Sequence, residues 1–137
     1  MATQADVRRI ALSLPGARQE PGHFGFAVPH KEKLKRFVWV WMERVNPKKP
    51  RIPQPKVIGL RVANLDDKEF LLRSDPEKFF TEPHYDGFPA VLVRLAAVTA
   101  RELRPLITEA WRCQAPRELL PEEGPSRPLR RAARRRA

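Results

Sequence analysis

Residues 83–112 read PHYDGFPAVLVRLAAVTARELRPLITEAWR, and a turn, a strand and an amphipathic helix follow one another within them. Gly87 tolerates positive φ and Asp86 can bond its own backbone, so Tyr85-Asp86-Gly87 predicts a turn ahead of a strand over Phe88 to Leu95. Val91, Val93 and Leu95 share one face of that strand. Thr99 and Glu102 have the spacing of a capping box, in which each side chain satisfies the other residue's free backbone N–H. Beyond them Leu103, Leu106, Ile107, Ala110 and Trp111 recur at helical spacing, a stripe that must cover a sheet. Pro105 is the dissonant residue: its missing N–H is harmless only in a first turn, so a late helix start or a bend is expected there.

Working outward, Thr3 and Asp6 open a first helix whose apolar face is Val7, Ile10, Ala11 and Leu14, stopped by Pro15-Gly16. His23 to Val28 alternates as a strand, with Phe24, Phe26 and Val28 on one side, and a turn is expected over Pro29 to Lys33. The next strand, Arg36 to Arg44, is apolar on both faces. Strict alternation sets Phe37, Trp39 and Trp41 against Val38, Val40 and Met42; with the aromatic side inward, the outer strip reads Arg36, Val38, Val40, Met42, Arg44. Asn46 to Lys56, NPKKPRIPQPK, carries four prolines and four cations and predicts an extended, mobile loop. Val57 to Val62 is a further strand with Ile58, Leu60 and Val62 inward and Arg61 outward, as Arg94 is on the last strand. Asp66 and Asp67 are expected to cap a short helix through Phe70 and Leu71, and Glu77 to Phe80 to add another turn. The order α-β-β-β-α-β-α predicts an α+β fold: an antiparallel sheet of four or five strands with helices packed mainly on one face.

The chain has 137 residues, enough for one domain with a real core, expected over residues 1–120. Residues 121–137 form a basic, proline-broken tail expected to be disordered. A single cysteine, Cys113, precludes an internal disulfide, and no run suits a signal peptide or a bilayer span, so a cytoplasmic location is expected. The net charge is +11, of which the tail supplies +4 and the rest of the chain +7. That balance favours polyanionic partners such as DNA, RNA or anionic lipid.

The expected polyanion surface joins Arg36, Arg44, Arg61 and Arg94 on the outer sheet face to Lys48, Lys49, Arg51 and Lys56 in the loop, with Arg130, Arg131, Arg134, Arg135 and Arg136 in the tail. Guanidinium forks and lysines neutralise phosphates without reading bases; the plainer reading is the ordinary wet side of a sheet. Turned outward, Phe37, Trp39 and Trp41 would instead be a stacking platform for single-stranded bases, but burial is expected because so large an exposed aromatic patch is unusual. An apolar patch around Val38, Val40 and Met42 would suit a protein partner or a homodimer. His84, Tyr85 and Asp86 offer acid, base or ligand groups for a pocket, with His23 or His30 as neighbours, yet no metal spacing, phosphate loop or nucleophile elbow accompanies them. Cys113 is expected to be a packed thiol. No catalytic residue, metal ligand or cofactor is assigned, and the expectation is a non-enzymatic domain.

SLPGARQE over residues 13–20, the strand and turn from Phe24 to Lys31, PHYDGFPAVLVRL over residues 83–95 and EAWRCQAP over residues 109–116 together resemble the MmcQ/YjbR family, whose members are commonly labelled DNA-binding. The resemblance covers roughly residues 3 to 118. It implies a compact α+β domain similar to frataxin-like and secretion-chaperone-like folds, and it implies no established reaction. Iron delivery would need clustered carboxylates, whereas helix 1 carries Arg8 and Arg9.

Overall fold

The computed structural model describes residues 1–120 of the chain. The elements in order are α1 (Gln4–Leu12), β1 (Arg18–Gln19), β2 (Gly25–His30), β3 (Lys33–Glu43), β4 (Ile52–Arg61), α2 (Leu65–Ser74), β5 (Phe79–Phe80), β6 (Ala90–Arg94) and α3 (Ala100–Gln114), with single 3-10 turns at Pro83–Tyr85, Leu95–Ala97 and Arg117–Leu119. The sheet is antiparallel throughout, in the order β1-β2-β3-β4-β6-β5. It has six strands rather than four or five, because the two-residue strands β1 and β5 add an edge on each side. Two-residue pairings carry no periodicity, so alternation could not announce them.

Both capping boxes form. Thr3 Oγ1 accepts from the Asp6 N–H at 3.3 Å while the Asp6 carboxylate accepts from the Thr3 N–H at 3.0 Å. Thr99 and Glu102 make the same exchange at the head of α3, both bonds at 3.1 Å. That box starts α3 at Ala100, so the late start expected from Pro105 does not occur; Pro105 lies inside the helix. The α2 cap is Asn64, whose side-chain oxygen accepts from the Asp67 N–H at 2.8 Å, in place of Asp66 or Asp67.

Helices α1 and α3 cover one sheet face. Val7, Ile10, Leu103, Ile107 and Trp111 meet Phe26, Val28, Ile58, Leu60, Val91 and Val93, all essentially removed from water. The Trp111 indole N–H donates to the Pro15 carbonyl at 2.9 Å, which ties α3 to the end of α1.

The register of β3 departs from strict alternation. Phe26 pairs with Val38 but Ala27 pairs with Arg36, leaving Phe37 as the extra residue of a bulge. Phe37 and Val38 therefore both enter the helix-side core, and every side chain beyond the bulge changes face relative to the simple count. Trp39, paired with Gly59, and Trp41 turn away from the helices, correcting the orientation expected for the aromatic side. Both indoles are nonetheless buried, 9% exposed each, with Tyr85 from the segment between β5 and β6 against Trp39 and Phe80 of β5 edge-on to Trp41. Val38 and Val40 are buried as well, so the apolar patch expected with Met42 does not exist.

The proline-rich segment is also more ordered than expected. Strand β4 begins at Ile52, and only residues 44–51 connect it to β3. Pairing with β6 covers just Val57 to Arg61, so one edge of β4 has no strand neighbour around Pro53 and Pro55, where a missing N–H costs nothing. The β2–β3 turn narrows to Lys31-Glu32, with Lys31 at φ 59°, and the turn expected over Glu77 to Phe80 forms over residues 76–78, the Lys78 N–H donating to the Asp75 carbonyl at 3.0 Å, before Phe79 and Phe80 pair as β5.

Candidate functional site

The sheet face opposite α1 and α3 carries the candidate residues, and the structure divides them into two groups at opposite ends of β4. Arg61 pairs with Ala90 and Val57 with Arg94, so about 13 Å of strand separates the two arginines.

At the β3–β4 end, residues 44–56 hold Arg44, Lys48, Lys49, Arg51 and Lys56 and no carboxylate. Arg44 does not project from the sheet as expected; past the end of β3, it donates to the Pro47 and Lys49 carbonyls at 3.4 and 3.1 Å and so braces the loop. Arg51 donates to the Met42 carbonyl at 2.9 Å and lies 3.5 Å from Glu82. Arg94 lies 4.0 Å over the Phe80 ring and donates to the Pro76 carbonyl at 3.1 Å. Carbonyl and ring contacts fix Arg44 and Arg94 without cancelling their charge, whereas Glu82 offsets that of Arg51. Lys48, Lys49 and Lys56 are exposed.

At the other end, the face dips into a shallow, open cleft of about 460 Å³. One wall is Arg36, gripped by both oxygens of Glu20, the Nη2 bond at 3.0 Å. This pair holds the Glu20 carboxyl below its ordinary range and raises Arg36, in each case chiefly through the hydrogen bond between them. Arg36 is therefore neutralised locally. The Arg61 guanidinium lies 5.2 Å from the Phe88 ring centroid, and its buried Nε–H has no hydrogen-bond acceptor among the described residues. The floor is Trp39, whose indole N–H donates to the Tyr85 hydroxyl at 3.1 Å.

The cleft exists because α2 anchors the covering segment. The buried Lys68 ammonium donates to the Tyr85 and Phe88 carbonyls at 2.6 and 2.9 Å. Burial lowers its pKa, an effect that the nearby Asp86 carboxylate opposes.

Of the pocket residues expected from sequence, His84 and Tyr85 line this cleft and Asp86 does not. His30 is engaged through Nδ1 with the Gln114 carbonyl at 3.0 Å. Glu20, Phe88 and Gln114 line the cleft too and were not singled out, and Trp39 was weighed only as a core or base-stacking residue. The signal available for them was the aromatic pair flanking Asp86-Gly87, which read only as a turn. Cys113 lies at the surface instead of being packed, yet desolvation and the Glu109 carboxylate push its thiol up to about 11, which keeps it protonated at neutral pH. Arg130, Arg131, Arg134, Arg135 and Arg136 lie outside the described residues. No described group of three or more His, Cys, Asp or Glu side chains is arranged to hold a metal ion, and no described helix is long and apolar enough to cross a membrane.

A family model described as YjbR matches residues 12–113. Uncharacterized proteins of Mycobacterium bovis and of two strains of Mycobacterium tuberculosis are each 39% identical to this chain over 129 residues, covering 88% of it and 94% of their own length. The crystal structure of Deinococcus radiodurans protein DR2400, a DUF419 domain, superposes with a TM-score of 0.59 at 20% identity, covering 96% of this chain and 88% of that one. At that identity the likeness is one of fold.

Proposed function

The chain belongs to the MmcQ/YjbR family, and from that premise we propose that it is a small non-enzymatic domain that binds nucleic acid, DNA in the first place, through phosphate contacts with little sequence selectivity. The observation that carries this reading is the charge of the β3–β4 hairpin: five cations over residues 44–56, no carboxylate among them, and Arg94 on the adjoining sheet face. Arg44 and Arg51 brace the loop through carbonyls, so the exposed lysines are presented on a formed ribbon. A two-stranded ribbon is narrow enough for a major groove, and cations on it neutralise phosphates on either side. Arg36 and Arg61 belong to the cleft and are not part of this surface; the tail arginines add nonspecific attraction. A cytoplasmic setting with access to DNA agrees with the single cysteine.

Salt titration of duplex binding, read by fluorescence anisotropy, tests the proposal. Phosphate binding by the hairpin requires log affinity to fall linearly with log salt, by about 0.9 for each phosphate neutralised. Lys48→Gln, Lys49→Gln and Lys56→Gln combined should lower that slope by roughly 2 to 3 and weaken unrelated duplexes alike. A flat salt response, no binding at low salt, or an unchanged slope in the triple variant rejects it.

A further inference from the structure

Phosphate contacts explain the cations of the β3–β4 hairpin and leave its apolar residues without a role. Strand β2 accompanies β3 only as far as Trp39, paired with Gly25, and β6 accompanies β4 only from Val57. From Trp41 to Gln54 the hairpin is therefore a two-stranded ribbon with no third strand beside it. Met42, Val45 and Ile52 on this ribbon are 37, 64 and 47% exposed, next to the cations of residues 44–56. Met42 pairs with Pro53, whereas Ile52 pairs with Glu43, the next residue of β3, so these two apolar side chains stand on opposite faces of the ribbon. Val45 lies just past the last pair, where the strand passes into the loop. The Glu43 carboxylate, on the Ile52 face, accepts from the Gln54 amide at 2.6 Å.

We infer that the ribbon binds duplex DNA at a gap, its apolar residues covering the base faces that the interrupted stack leaves open. This rests on nucleic-acid binding by the same hairpin and adds to it a selectivity for DNA structure over DNA sequence. Base faces are apolar, and at a gap the unstacking that a wedge must otherwise force has already occurred. The ribbon's cations meet the phosphates that border the opening, Arg51 least because Glu82 offsets it. An anionic membrane also attracts cations and apolar side chains together, but it takes the apolar ones from a single face. Here Met42 and Ile52 face opposite ways, which suits a wedge with a base pair on either side.

Fluorescence anisotropy of the full chain with an intact duplex, and with the same duplex carrying a short internal gap, tests the inference. The gapped duplex should bind at least about tenfold more tightly, the gain expected from covering one base. Charge alone gives the opposite order, because the gap removes phosphates. Val45→Ser combined with Ile52→Ser should abolish the preference and leave the affinity for intact duplex and its salt slope unchanged, since neither residue carries charge. The comparison of the two duplexes uses the unaltered chain, so it decides the matter even where the double variant fails to fold. Equal affinity for the two duplexes, a preference that survives in the double variant, or tighter binding to phosphatidylserine vesicles than to the gapped duplex overturns the inference. Salt-dependent binding of intact duplex with no preference for the gap defeats this inference alone, whereas binding of neither duplex defeats the proposed function with it.

Discussion

A side chain at position 59 has no room: a Cβ there would stand 2.2 Å from Trp39 Nε1 and 2.3 Å from its Cε2. The indole of Trp39 occupies the space that its cross-strand partner leaves empty, and from there its N–H reaches the Tyr85 hydroxyl. Gly59 therefore serves close approach rather than an unusual backbone angle. Gly59→Ala should cost about 1 to 3 kcal/mol through overpacking, read as a lower urea midpoint, with the cleft floor displaced. A midpoint equal to that of the parent chain would show that the indole can move aside freely. At this scale the sequence was legible where the partner was near in the chain, as for Thr3 with Asp6. It was opaque where the partner was distant, as for Trp39 with Tyr85.

Among the elements, α3 shows how a local signal can be overruled. Pro105 removes the N–H that would bond to the carbonyl four residues earlier, yet the helix runs from Ala100 because the Thr99–Glu102 box fixes its start and Leu103, Ile107 and Trp111 fix its buried face. The cost remains in the folded state. Pro105→Ala should restore the bond and raise stability by about 2 kcal/mol, less whatever the freer unfolded chain returns, measured as a shift of the urea midpoint at unchanged slope. In β3 the same competition ran the other way. Perfect alternation from Phe37 to Met42 was a correct sign of a strand, but one bulged residue reversed the faces, because period two has no tolerance for an insertion. Strand β4 was read too short, since prolines that would break a central strand are harmless where β6 has ended.

For the whole molecule, three carboxylates are held below their ordinary range by a cation: Glu20 by Arg36, Asp6 by Arg9 and Glu102 by Lys78, each first through a side-chain hydrogen bond. The unfolded chain then takes up protons before the folded one does. Their stabilisation is present at neutral pH and is lost as pH falls from the ordinary values, 4.5 for the glutamates and 3.8 for Asp6, through the depressed folded values. Glu109 has the opposite sign, because burial raises it above 4.5 and protonation relieves it. Through Glu20, Asp6 and Glu102 acidification should destabilise the fold, with Glu109 acting in the opposite direction. In Glu20→Gln, the drop in denaturant midpoint between neutral pH and pH below 4.5 should be smaller than in the parent; an equal drop would remove Arg36–Glu20 from the account.

By itself the sequence determined the α+β class, the order of the main helices and strands, both capping boxes, the inward set Ile58, Leu60, Val91 and Val93, and the basic character of residues 44–56. These are properties of neighbours within a few positions, where backbone geometry and periodicity leave little choice. Only the tertiary structure decided which face Trp39 and Trp41 take, that Glu20 neutralises Arg36, and that Lys68 draws the segment around Tyr85 over the sheet into a cleft. Each of those depends on a contact between residues far apart in the chain, whose free energy no local pattern records.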